Sequence, residues 1–217
     1  MADFPKPFPT PSSPAIASFN WTDIAEGTGI VKFYGFDSED STGTTHHLST
    51  NAFYSTNIYS QSATFIGYDY LLKATWNFDL APFNRSGTIQ GTANFNIPWH
   101  LWTTEPAQSV AGYLQVLIQK VSGGVTTIGS VTTKEMSTGS LIYDLANLHT
   151  SLTQTHFKVG DNLRISILMY GKKTNNTSAV GYGFLVHSPQ NREKQNSTIA
   201  NLGSTKLEAY IPFKIEL

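Results

Sequence analysis

The chain has 217 residues, with 14 basic and 15 acidic side chains and a formal net charge of −1, which argues against a polyanionic partner such as nucleic acid held by bulk electrostatics. It contains no cysteine, which removes thiol catalysis, disulfide frameworks and thiolate zinc sites together. A single domain of this length buries roughly 70% of the surface its unfolded chain exposes, enough for a core without staples.

The N-terminal stretch carries Pro5, Pro7, Pro9, Pro11 and Pro14. Proline at nearly every second position fixes φ and removes backbone donors, so residues 1–18 are predicted to form an extended arm. Phe4 and Phe8 would anchor it across a neighbouring subunit. This stretch has neither the basic start nor the apolar segment of a secretory signal, and no run reaches the ~18 to 20 apolar residues that span a bilayer. No membrane partner is expected, and the sequons at Asn20, Asn84, Asn175, Asn176 and Asn196 are read as unglycosylated. Asp37, Glu39 and Asp40 fall in a predicted acidic loop over 36–41. A solvated loop is the favoured reading there, with calcium held by these three carboxylates as the alternative. His46 and His47 make a poor metal pair, because neighbours on a strand point to opposite faces. No other metal site and no cofactor are expected.

From Ile30 onward, strand follows strand. Tyr70, Leu72, Ala74, Trp76, Phe78 and Leu80 alternate with Leu71, Lys73, Thr75, Asn77 and Asp79 at the period of a half-buried strand, and Ile89 to Ile97 and Leu114 to Ile118 repeat the pattern. Ser122-Gly123-Gly124 supplies a hairpin turn. Pro98 is predicted to end its strand and to deliver Trp99 and Trp102 into a loop, where both rings are candidate intersubunit contacts. Leu141, Leu145, Leu148 and Leu152 sit at helical spacing and predict at most a short helix, although a strand fits almost as well. Leu163 to Met169, Val180 to Val186 and Leu207 to Leu217 complete the strands. In the last of these Pro212 requires an edge, a bulge or a nitrogen turned from its neighbour.

The segment from Phe157 to Ile167, in which Gly160-Asp161 launches an alternating strand, resembles jelly-roll domains, among them glycan-binding modules and trimeric tumour-necrosis-factor-like ligands. Gly181-Tyr182-Gly183-Phe184-Leu185 continues that likeness. The proline-rich arm followed by Phe19 to Gly29, together with the closing run Thr205 to Ile215, resembles jelly-roll coat, decoration and appendage proteins of viruses. That resemblance implies a role but no site residue.

The serine elbow, the phosphate-binding glycine loop and the zinc-binding helix motif are all absent from the sequence. The expectation is therefore an all-β, jelly-roll-type β-sandwich over residues 19–217, preceded by the extended proline-rich arm. Its expected function is that of a virion structural subunit without enzymatic activity, homo-oligomeric and bound to copies of itself or to another capsid protein. A carbohydrate-binding module is the main alternative, and a trimeric ligand the next.

Overall fold

A computed structural model describes residues 17–18, 28–40, 43–104, 110–174, 180–192 and 204–214. The described residues form thirteen strands and no α-helix. In chain order these are β1 (Ala17–Ser18), β2 (Thr28–Asp40), β3 (Gly43–Ser49), β4 (Tyr59–Gln61), β5 (Leu71–Leu80), β6 (Gly87–Thr103) and β7 (Val110–Val121). They continue as β8 (Val125–Thr132), β9 (Met136–Thr138), β10 (Leu141–Phe157), β11 (Asn162–Lys173), β12 (Gly181–Val186) and β13 (Glu208–Lys214).

The strands join into one mixed sheet in the order β4-β12-β6-β13-β2-β3-β5-β11-β7-β8, with β1 beside β2, β10 beside β6 and β9 beside β7. All pairs are antiparallel except the short β3–β5 seam, where His47 faces Asp79 and Leu48 faces Leu80. Strands far apart in this order nevertheless meet through their side chains. A Cβ added at Gly183 on β12 would collide with Met169 on β11, and one at Gly181 on β12 would collide with Val110 on β7. The sheet is thus folded back on itself around one core. Ile89, Phe95, Ile97, Trp99 and Leu101 of β6 belong to the same buried cluster as Val116, Ile118, Ile165 and Ile167.

The Gly160-Asp161 turn does start a strand. Gly160 has φ +91°, and Asp161 Oδ2 accepts the Lys158 N–H at 2.7 Å and lies 2.9 Å from Lys120 Nζ. Hydrogen bonds from Ser122, Lys120 and Lys158 hold this carboxyl far below the usual carboxylate range. Pro212 sits where the β13–β6 register breaks between Tyr210 and Phe213. The bulge is made possible by Gly91 at φ +117°, where an added Cβ would lie 3.3 Å from the proline ring.

Three local expectations are corrected. Leu141–Phe157 is one long strand with no helix. Residues 36–40 belong to β2, so Asp37, Glu39 and Asp40 do not sit in an open loop. Asp37 is fully buried while Glu39 is exposed, and no cluster of three or more His, Asp or Glu side chains fit to hold a metal forms among the described residues. Pro98 does not end its strand, because β6 runs on to Thr103. Phe4 and Phe8 lie outside the described residues. All-β character is shown by the structure.

Gly171 on β11 gives a test of the folded-back packing. A Cβ there would meet the buried Phe65 ring at 2.3 to 2.6 Å, and a rigid ring cannot yield as a flexible chain end does. Gly171→Ala is predicted to cost about 1 to 3 kcal/mol of unfolding free energy. In urea titrations the double variant with Phe65→Leu should be more stable than the two single losses predict, because the smaller side chain relieves the collision.

Candidate functional site

Two groupings of chemistry-bearing side chains stand out, one buried and one exposed. The buried one gathers at Asp37. His46 Nδ1 donates to Asp37 Oδ1 across the β2–β3 pair, where the two residues are in register. His187, just beyond β12, brings Nε2 to 3.4 Å from Asp37 Oδ2 and to 2.9 Å from Ser60 Oγ on β4, with Nδ1 3.5 Å from Ser55 Oγ. Ser55 donates to the Asn57 carbonyl and accepts the Asp37 N–H at 2.8 Å. Arg192 donates to the Ser55 carbonyl and lies over the Tyr54 ring at 3.9 Å.

Serine, histidine and aspartate in contact invite comparison with a nucleophile, base and orienting carboxylate. The geometry does not match that arrangement. In a working triad the carboxylate and the serine address opposite ring nitrogens. Here both Asp37 and Ser60 address Nε2, while Nδ1 faces Ser55, whose hydroxyl is buried and already committed. Burial lowers the His187 pKa to about 4, against a smaller opposing pull from Asp37, which is far from the value that makes an effective base at neutral pH. The grouping instead fastens the 50–58 segment to β2, β3 and the end of β12. The backbone bonds from His187 N to Ile58 O and from Thr56 N to Asp37 O, both 2.9 Å, do the same.

The exposed grouping is aromatic. Successive residues of a strand face opposite ways, so β6 sends Trp99 and Leu101 into the core and turns His100 and Trp102 outward. Trp99 is fully buried and its indole N–H donates to Asp144 Oδ2 at 3.3 Å. The expectation that it is a contact residue is therefore corrected. Trp102 is 38% exposed and stacks on Tyr182 of β12 at 5.4 Å with 21° between the rings. Phe184 lies 4.4 Å from His100 and 6.1 Å from the exposed Tyr59, and His100 also meets Tyr143 edge-on at 5.2 Å. Beside them Val186 packs with Tyr143 and Leu145. The outcome is a continuous aromatic face over β4, β12, β6 and β10. Burial beneath these rings lowers the His100 pKa to about 4 and leaves its Nδ1 without a hydrogen-bond partner.

The sequence matches no protein-family model and no curated protein. Among solved structures it is similar to an α-amino acid ester hydrolase, with a TM-score of 0.50 and 8% identity over 85% of this chain and 36% of that one. A CocE/NonD family hydrolase from Staphylococcus aureus gives a TM-score of 0.49 at 10% identity, over 86% of this chain and 37% of that one. The infectious bursal disease virus structure, Gx strain, gives 0.27 at 8% identity, over 87% and 37%. The chain thus spans little more than a third of the hydrolases it resembles. The likeness to the α-amino acid ester hydrolase corrects the expectation of a virion subunit without enzymatic activity, at the level of a shared fold. The chain is similar in fold, and in fold alone, to a portion of the ester hydrolase, and the viral likeness is too slight to carry an argument.

The two depressed histidines predict how stability follows pH. Their folded pKa of about 4 lies below the unfolded value near 6.5, so the unfolded chain binds more protons in between. The stabilisation is complete above pH 6.5, falls as pH drops toward 4, and is bounded by about 3 kcal/mol for each residue. Urea midpoints should fall between pH 7 and pH 5, and His100→Phe should remove a substantial part of that fall.

Proposed function

We propose that this chain is a β-sandwich module of jelly-roll type, one domain over residues 19–217, serving an ester or amide hydrolase. The observation that carries the reading is the exposed aromatic face of Trp102, Tyr182, Phe184 and Tyr59. Stacked, partly exposed rings on a rigid sheet give large contact area at little entropic cost, the pattern of an interface core. In this reading the face docks against a catalytic unit that supplies the nucleophile, since the Ser60–His187–Asp37 grouping lacks triad order. The shared fold with part of an ester hydrolase supports the reading as a fold-level analogy. The jelly-roll assignment is supported by strands distant in the sheet order sharing one core.

The test uses the protein isolated with its bound partners from its native source. That preparation should hydrolyse phenylalanine methyl ester or an aryl acetate. Combined Trp102→Ala and Tyr182→Ala should release the chain from the assembly and lower turnover at least tenfold, with its own melting transition little changed. A native assembly without hydrolytic activity, or a double variant that keeps both partner and rate, contradicts the proposal.

A further inference from the structure

A cleft of about 480 Å³ opens between β8 and β10, which do not pair. At one end the two strands meet. There Thr150 Oγ1 donates to Ser130 O at 3.0 Å, and a Cβ at Gly129 would lie 2.5 Å from Leu152. From that point the edges separate toward Lys134 and Asp144, with Val131, Thr133, Ala146 and Leu148 along the walls.

Ladder register shows where the backbone points on each edge. Successive residues of an antiparallel strand direct their N–H and C=O groups to opposite edges. Thr104 donates its N–H to Val180 O at 3.0 Å, which continues the β6–β12 ladder, so even-numbered residues at this end of β6 face β12 and odd-numbered ones face β10. Opposite Trp99 and Ile97 stand Asp144 and Ala146. These two spend their backbone groups on β6, which leaves Leu145, Asn147 and His149 pointing outward. On β8 the Thr133 N–H goes to Leu114 O at 2.9 Å, so Thr132 and Ser130 point outward as well. Among the described residues no strand pairs with either edge. Side chains stand in for the missing donors: Asn147 Nδ2 reaches the Leu145 carbonyl at 3.1 Å, as Thr150 reaches that of Ser130.

We propose that this cleft receives an extended peptide segment of a partner protein, added as a strand along the Leu145–His149 edge. Outward N–H and C=O groups at every second residue recognise another peptide backbone and little else. The walls of Val, Thr, Ala and Leu suit small or β-branched side chains. The Asn147 amide acts as a placeholder that the incoming strand displaces. This inference is independent of the aromatic face.

The probe is the peptide acetyl-Lys-Thr-Val-Thr-Val-Thr-Lys-amide, titrated into the full ¹⁵N-labelled chain. At saturation the amides of Leu145, Asn147 and His149 should exchange at least tenfold more slowly. Asn147→Ala, which removes the placeholder without touching the β6 ladder, should tighten binding severalfold. Asn147→Pro, which removes an outward donor, should weaken it at least tenfold, with melting curves confirming that each variant is folded. If Asn147→Pro does not fold, the Asn147→Ala comparison decides alone. Unslowed exchange at the three amides, or unchanged affinity in Asn147→Ala, overturns the proposal. So does protection that rises with protein concentration without peptide, since a second copy of the chain would then hold the edge.

Discussion

Everything in this fold depends on one strand, β6, serving three neighbours at once. Along one edge it pairs with β10 from Gly87 to Trp102. Along the other, β13 occupies the stretch up to Asn96 and β12 the stretch from Trp99. Its inward side chains, from Ile89 to Leu101, form the centre of the core, while His100 and Trp102 root the aromatic face. Core and surface site are therefore one mechanical unit. A displacement of β6 by one residue would exchange Trp99 with its neighbours and destroy both.

Pro98 shows how narrow the tolerance is. Proline inside a sheet normally removes a ladder bond. Here its missing N–H points toward the β12–β13 side, in the gap between the last β13 partner, Asn96, and the first β12 partner, Trp99. The β12 ladder ends there, at the Leu185–Trp99 pair, so the proline costs at most one bond at the end of a ladder. The sequence showed the proline, and a strand end was the natural inference. The gap that makes it tolerable is a property of two strands far away in the chain.

The other misreadings have equally specific causes. Leu141, Leu145, Leu148 and Leu152 look helical because β10 carries apolar side chains on both faces: Leu148 and Leu152 belong to the main core, while Leu145 packs with Val186 outside it. A strand covered on two sides loses its period of two. Asp37 reads as a loop carboxylate because its partners, His46 and His187, lie 9 and 150 positions away. The strands with one wet face were legible from alternation alone, as β5 and β11 show. The aromatic face was half legible. Trp102 was singled out, but Tyr182, Phe184 and Tyr59 reach it only through pairing of β12 with β6 and β4.

The central claim is that β6 binds core and aromatic face into a single cooperative unit, and native-state amide hydrogen exchange tests it most directly. The account predicts that amides of residues 93–97 and of residues 99–103 open with one common free energy, equal to that of global unfolding. If residues 99–103 exchange through a separate opening of distinctly lower free energy, while 93–97 remain protected, the two halves of β6 are independent and the account is wrong.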